Sequence, residues 1–276
     1  MSEIEKLIKG NAPFAIIRPG LGGDFMVPFF MEKKVEIPYY YLNLLTNNAG
    51  IYFRTDDIIN NENDKKDLIE YAILCNKAYK CADLIAVLNS KHVINISDYF
   101  IKKYNIKKIP GRYIEPYYNS PPWTRLLKGK RVLIIHPFEK TIKKQYLKRE
   151  LLFKNKETLP DCTLLTYKTF MTLGNNKIHE SWKQTYEIMC NDIKKINFDI
   201  ALLGCGGYGH PLVHFIRNNM KKSAIYMGGA LQILFGIKGK RWDNHQIIST
   251  LYNEHWCYPE EIPKNYEKIE NGCYWK

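Results

Sequence analysis

Short apolar segments alternate with amphipathic helical segments from residue 131 onwards, and this alternation restricts the fold more than any other feature. The apolar segments are RVLIIHPF, CTLLTYK, FDIALLG and SAIYMGG, and a stretch with helical spacing of its apolar residues follows each of them. Continuously apolar strands are typical of a parallel sheet that helices cover on both faces. The sequence therefore predicts an α/β fold with a Rossmann-like parallel sheet.

The first half of the chain carries a weaker form of this pattern. FAIIRPGLGGDF combines a short strand with a glycine-rich turn, and ISDYFIKKYNI predicts a helix capped by Ser97. YIEPYYNSPPWTRLLKGK, with its three prolines, reads as a connection. We predict a partly helical N-terminal α/β half at residues 1–120 and a Rossmann-like half at residues 121–276 that ends in an irregular cap, or one continuous domain.

The charge of the chain favours an anionic partner. Lys and Arg number 41 against 28 Asp and Glu, which gives a formal net charge of +13. Such an excess is typical of proteins that bind nucleic acid, acidic membranes or phosphorylated small molecules. The basic residues are dispersed, for example in YNIKKIPGRY, which reads as a solvated surface, and no nucleic-acid-binding module is recognisable. We therefore expect no nucleic acid partner.

Neither a membrane span nor a zinc site is expected. No apolar run approaches the roughly 18–20 residues that cross a bilayer, and the N-terminal MSEIEKLIKGN lacks the apolar core of a signal peptide. The seven cysteines contain no C-x-x-C pair, and His210 and His214 share a helix without an H-E-x-x-H pattern. We predict a cytoplasmic protein with free thiols, or one held peripherally at the inner membrane surface.

The glycine-rich turn in FDIALLGCGGYGHPL predicts an anion site. Gly204, Gly206 and Gly209 have the spacing G-x-G-x-x-G between a strand and a helix, where backbone N–H groups can approach a phosphate. Ligands of parallel sheets bind outside the carboxyl ends of the strands. The candidate phosphate-binding residues here are Gly204, Gly206, Gly207, Tyr208, Gly228 and Gly229. The alternative is tight packing of helix against strand without a ligand.

A nicotinamide dinucleotide and S-adenosylmethionine fit this turn poorly. Both need an acidic residue about 20 residues after the glycines to bind the ribose. That position falls in IYMGGALQ, which contains no acid, and the turn comes late in the chain. A diphosphate that belongs to another ligand is therefore preferred.

Two further segments carry groups suited to catalysis or binding. IIHPFEKTI places His136 and Glu139 between a strand and a helix, where either could act as general base, although packing and the helix dipole explain them equally well. GIKGKRWDN offers basic donors for a diphosphate, an indole for stacking and a carboxylate for hydroxyls or a metal. These residues are Lys240, Arg241, Trp242 and Asp243.

Taken together, several stretches resemble a family assigned as glycosyltransferases of surface-polysaccharide gene sets. They are RPGLGGD, NNAGIYF, YIEPYYNSPPW, LKGKRVLIIHPFEKTIKKQY, LLGCGGYGHPL, MGGALQILFGIKGKRWD and NGCYW. That family is more weakly similar to GT-D-fold glycosyltransferases, whose first strand precedes an R-x-G-D-x-E-like turn that holds a divalent metal. Arg18 and Gly20 match this turn, whereas Leu21 and Gly23 replace its acids and Asp24 comes one residue late.

The resemblance implies transfer of a sugar from a UDP-, GDP- or dTDP-linked donor to a glycan or lipid-linked acceptor. It implies that Asp24 acts as base or as a ligand of Mn or Mg, with His136 and Glu139 as alternates. Arg18, Gly20 and Gly22 would bind the donor together with the glycine turn and the Lys240–Arg241 pair. The main alternative is a non-catalytic nucleotide- or sugar-binding protein on the same fold, and a methyltransferase or a nucleic-acid-binding protein is less favoured.

Overall fold

A seven-stranded, entirely parallel sheet forms the centre of the protein, as seen in a computed structural model that describes residues 1–20, 22–264 and 266–276, without the side chain of residue 268. Leu21, at one of the expected acid positions, lies outside the described residues. The strands are β1 (Ala15–Ile17), β2 (Leu84–Val87), β3 (Lys107–Pro110), β4 (Arg131–His136), β5 (Thr163–Lys168), β6 (Ile200–Leu203) and β7 (Ser223–Tyr226). The predicted Rossmann-like α/β fold is confirmed.

The order of the strands across the sheet is β3-β2-β1-β7-β6-β4-β5. The short strand β1 lies near the middle, because Ile16 is in register with Leu84 of β2 on one side and with Ile225 of β7 on the other. The predicted boundary after residue 120 falls between β3 and β4. Strands from both halves thus hydrogen-bond into one sheet.

Helices and turns cover both faces of this sheet. The helices are α1 (Glu3–Lys9), α2 (Gly23–Glu32), α3 (Tyr39–Asn47), α4 (Glu62–Cys81), α5 (Lys91–Tyr104), α6 (Glu139–Tyr146), α7 (Arg149–Leu152), α8 (Trp182–Ile193), α9 (Gly209–His214), α10 (Ala230–Leu234) and α11 (Lys240–Asp243). Successive strand residues belong to two separate hydrophobic cores. In β4, Leu133 and Ile135 pack on one face of the sheet, and Val132 and Ile134 pack on the other. This two-sided burial explains why the strands are continuously apolar.

One predicted helix start is wrong. Helix α5 begins at Lys91 and not after Ser97, which lies fully buried in the middle of the helix. The buried residues Val93, Ile96 and Phe100 recur at helical spacing, so the apolar stripe already extends for more than one turn before the serine. Burial of that stripe outweighs the capping preference of Ser97.

The C-terminal cap is irregular, as predicted, and its last residues return to the sheet. The N–H of Lys240 donates to Trp275 O at 2.7 Å, and the N–H of Arg241 donates to Cys273 O at 3.0 Å. Trp275 is buried against Phe138, which follows β4. The end of the chain therefore lies beside the carboxyl ends of the central strands. Among the described residues, no helix has the length and apolar character needed to cross a bilayer.

Candidate functional site

A cavity of about 570 Å³ lies at the carboxyl ends of the adjacent strands β1, β7, β6 and β4. Its volume is within the range of sites for small molecules, and its position is where parallel α/β sheets bind ligands. The segments that follow these four strands in the sequence, RPGLGGD, HPFEKT, GCGGYGH and MGG, all contribute to it. The predicted residues that line it are Arg18, Gly20, Gly22, Asp24, His136, Gly204, Gly206, Gly228, Gly229 and Arg241.

The glycine-rich turn after β6 packs tightly against the rest of the fold. Gly206 has a φ of +58°, and a Cβ on Gly209 would lie 2.3 Å from the ring of Tyr226. The N–H of Gly207 donates to Ala49 O at 2.7 Å. Packing therefore requires the glycine spacing, whether or not a ligand binds.

Several backbone N–H groups that were expected to bind an anion already have partners. Besides Gly207, Gly204 donates to Ile135 O at 2.9 Å and Gly228 donates to Leu203 O at 3.1 Å. Gly207 and Tyr208 lie outside the lining of the cavity. An anion in this cavity would therefore depend mainly on charged side chains.

Arg18 supplies one of these charges from the end of β1. Its Nη1 donates to Glu115 Oε1 at 2.9 Å, and Tyr117 donates to the other oxygen of Glu115 at 2.7 Å. A Cβ on Gly228 would lie 3.3 Å from Nη2 of Arg18, so the guanidinium lies directly beside that glycine. The glycine after β7 thus makes room for a cation in the cavity wall.

Arg241 supplies a second charge from α11. It pairs with Glu270, and its guanidinium lies 4.7 Å from the ring centre of Tyr274. Both partners belong to the C-terminal cap and line the cavity. The cap therefore holds this arginine at the edge of the cavity through one ion pair and one cation–π contact.

Asp24 is a buried carboxylate in the first turn of α2. Burial raises its pKa to about 6, the nearby charge of Glu270 acts in the same direction, and backbone N–H groups of Asp24 and Phe25 oppose the shift. Its Oδ2 lies 3.7 Å from Nδ1 of His210, a fully buried residue whose two ring nitrogens have no hydrogen-bond partner among the described residues. The site thus contains a carboxyl group that titrates near neutral pH.

His136 occupies the end of β4 and is buried. Its Nδ1 accepts a hydrogen bond from the N–H of Phe138 at 3.0 Å, so the neutral ring carries its proton on Nε2. Burial lowers the pKa of His136 to about 3, which keeps the imidazole neutral at physiological pH. His136 can therefore donate a hydrogen bond from Nε2.

Besides Gly207 and Tyr208, four of the predicted residues do not line the cavity. Glu139 accepts a hydrogen bond from Thr166 at 2.7 Å and pairs with Lys143 on the surface. Asp243 accepts hydrogen bonds from two tyrosines of the cap, and Trp242 packs against Tyr274. Lys240 is exposed. Of the segment GIKGKRWDN, only Arg241 faces the cavity.

The structure adds residues that sequence reasoning missed. The loop after β5 lines one side through residues 169–173, and Glu270, Tyr274 and Trp275 line another. The loop could have been found, because it follows a predicted strand and carboxyl ends gather at one edge. His210 stands within the glycine motif itself, but nothing in its spacing indicates that it packs beside Asp24.

Within the described parts of the chain, no group of three or more His, Cys, Asp or Glu side chains could hold a metal ion. Asp24 therefore belongs to no such group for Mn or Mg, and its role as a metal ligand stays a prediction. The seven thiols are free.

No family model, no curated protein and no solved structure matches this chain. The resemblance to glycosyltransferases likewise stays a prediction.

Proposed function

We propose that this protein is a glycosyltransferase that moves a sugar from a nucleotide-sugar donor to a hydroxyl group of a glycan or lipid-linked acceptor in surface-polysaccharide synthesis. One observation carries the proposal: Asp24, two arginines and His136, which come from distant segments, line one cavity at the carboxyl ends of the sheet. Glycosyl transfer needs cations for the departing diphosphate and a base for the acceptor hydroxyl. The cavity contains both.

The donor's diphosphate would bind to Arg18 and Arg241, since guanidinium groups form two parallel hydrogen bonds with phosphate oxygens. Each arginine would then exchange or share its present carboxylate partner, Glu115 or Glu270. The rings of Tyr274 and Trp275 line the same region and offer surfaces on which a base or a sugar can stack. These contacts support donor binding between the end of β1 and α11.

Asp24 is the base that the geometry favours. Glu139 lies outside the cavity, and His136 carries its proton on Nε2, so it is suited to donate a hydrogen bond and not to accept a proton. In the transfer step, the acceptor oxygen bonds to the anomeric carbon, the bond from that carbon to the diphosphate breaks, and the acceptor proton passes to the Asp24 carboxylate. A pKa of about 6 leaves this carboxylate mostly ionised at neutral pH while it stays a useful base.

The donor class can be tested by thermal stabilisation. The protein is heated with UDP-, GDP-, dTDP- and CMP-sugars, with and without manganese, and with NAD and S-adenosylmethionine. We expect one nucleotide class to raise the melting temperature, and Arg241→Met to reduce that shift while Lys240→Met, on the exposed neighbour, leaves it unchanged. Stabilisation by NAD or S-adenosylmethionine but by no sugar nucleotide would refute the proposal.

The base can be tested by release of the nucleoside diphosphate in the presence of sugar and lipid-linked acceptors. Asp24→Asn should still be stabilised by the donor but release no product, whereas Glu139→Gln should bind and turn over like the wild type. An equal loss of nucleoside diphosphate release in both variants would contradict the role of Asp24 as the base. Donor binding without release in the wild type, with every acceptor, would favour the non-catalytic binding protein.

A further inference from the structure

The segment that connects α2 to α3, together with the first two residues of α3, exposes large apolar side chains beside the mouth of the cavity. Val35, Tyr39 and Tyr40 are 51%, 73% and 64% exposed, respectively. Tyr40 also lines the cavity, and its ring centre lies 5.2 Å from that of Tyr41. Neighbouring apolar groups that remain in water mark an interaction surface. We call residues 33–40 the mouth segment.

Two lysines precede these apolar side chains in the mouth segment. Lys33 and Lys34 are exposed at the start of the mouth segment. The Nζ of Lys33 lies 4.0 Å from the ring centre of Tyr99, and the Nζ of Lys103 lies 6.0 Å from the same ring. Both of these lysines therefore lie over Tyr99 of α5, which is half-buried, and Lys103 also pairs with Glu32. Glu36 is the acidic residue within the segment.

We propose that the mouth segment docks this protein on the surface of an anionic bilayer. Tyrosine is enriched where one end of a side chain is apolar and the other is in water, as at a membrane interface. Lysines at the surface are attracted to anionic lipid headgroups, and the net charge of +13 attracts the whole chain in the same direction. Val35 and Tyr39 enter the interfacial layer while Lys33 and Lys34 contact the headgroups.

Docking in this orientation would bring the cavity to the lipid surface. Because Tyr40 belongs both to the mouth segment and to the cavity lining, an acceptor attached to a lipid reaches the cavity without leaving the bilayer. Leu44, Phe170 and Met171 add apolar surface to the lining of the cavity. The inference extends the proposed function to its acceptor, but membrane docking itself does not depend on glycosyl transfer.

Vesicle co-sedimentation tests the proposal. The full chain is mixed with phosphatidylcholine vesicles, or with vesicles that also contain phosphatidylglycerol, at low and high salt. We expect binding to the anionic vesicles only, and weaker binding in high salt. The double variant Lys33→Gln/Lys34→Gln should weaken binding to anionic vesicles by more than about tenfold, since each lysine near the surface adds about 1 kcal/mol of attraction to anionic lipids. The double variant Val35→Ser/Tyr39→Ser should abolish most of this binding.

Leu147→Ser/Leu151→Ser is the matched control, because these leucines are 83% and 50% exposed elsewhere on the surface. It should bind vesicles like the wild type, and unchanged thermal melting should show that every variant is folded. Absence of binding to anionic vesicles, or equal loss in the control, would overturn the proposal. So would a change from dimer to monomer in Val35→Ser/Tyr39→Ser, since the segment would then be a protein interface. Vesicle binding without any response to sugar nucleotides would leave docking intact and refute only the proposed function.

Discussion

Replacing Asp24 with asparagine should make the folded protein more stable at alkaline pH. The pKa of Asp24 is raised from 3.8 to about 6 in the folded protein, mainly by burial. The folded protein therefore retains a proton that the unfolded chain has already released, and stability is lost as the pH rises from about 4 through 6. At about 1.4 kcal/mol per pKa unit, the ionised carboxylate costs about 3 kcal/mol at pH 8.

Urea unfolding of the wild type and Asp24→Asn at pH 8 and pH 4 measures this cost. We expect the variant to gain about 3 kcal/mol at pH 8 and less than about 1 kcal/mol at pH 4, where Asp24 is protonated in the folded protein and partly protonated in the unfolded chain. The asparagine keeps an oxygen that can accept the backbone N–H groups. The gain should accompany loss of product release, as is common where an active site holds a destabilised group.

Asp64→Asn is the matched control, and its expected change in stability at pH 8 has the opposite sign. Burial raises the pKa of Asp64, but hydrogen bonds from Thr55 and Arg54 outweigh this and lower the pKa overall. Its charge stabilises the fold above the usual pKa, so the variant should be less stable than the wild type at pH 8. If Asp24→Asn were destabilised at pH 8 as well, the Asp24 carboxylate would have to be favourably solvated or paired. The reasoning for a base with a raised pKa would then fail.

Two further predictions concern stability. Burial lowers the pKa of His136 and of His210 from 6.5 to about 3, so the unfolded chain binds protons that the folded protein does not, and stability falls as the pH decreases below 6.5. Between pH 6.5 and pH 4.5, the free energy of unfolding in urea should therefore decrease by about 2 kcal/mol less in His210→Gln than in the wild type. An equal decrease in both proteins would contradict the burial of His210 as a neutral ring. Gly209→Ala should cost about 1–3 kcal/mol in thermal unfolding because its Cβ would lie 2.3 Å from the ring of Tyr226, whereas Gly10→Ala, with its nearest contact at 3.4 Å, should cost much less. Equal effects of the two substitutions would show that the ring can move aside.

The fold was predictable wherever strands are buried on both faces. Strands β4, β6 and β7 coincide with the predicted apolar runs, because burial on both faces keeps them almost wholly apolar. Strand β5 also coincides with a predicted run, although it lies at the edge of the sheet and is only partly buried. Strand β3 was not recognised, since Lys107 and Lys108 are exposed in KKIP and the segment reads as a solvated surface. It pairs with β2 at the edge of the sheet, where side chains can remain in water. The order of the strands depends on long-range pairing that local patterns do not encode.

The site was predictable to the extent that it follows the ends of strands. Arg18, Asp24 and His136 were found because carboxyl ends of parallel strands gather at one edge. The partners of these groups were not found, since Glu115 and Glu270 reach them from distant parts of the chain. The same holds for the backbone N–H groups of the glycine turn, whose partners come from other strands and loops. Local motifs identify the groups at a strand end but not which of them remain available to a ligand.

The packing of α2 against α3 explains why residue 23, where the proposed resemblance to the GT-D turn expects an acid, is a glycine. A Cβ at Gly23 would lie 2.3 Å from Tyr41 O and 2.4 Å from the backbone N of Leu45, so no acidic residue fits at that position. A Cβ at Gly22 would lie 2.8 Å from Oδ1 of Asp24, so this glycine leaves space for the carboxylate. Gly23 therefore allows α3 to pack closely against α2, and Gly22 leaves space for the carboxylate of Asp24. This packing leaves space for a carboxylate one residue later, and the proposed resemblance to the GT-D turn therefore predicts that Asp24 is the acid of residue 23 displaced by one position.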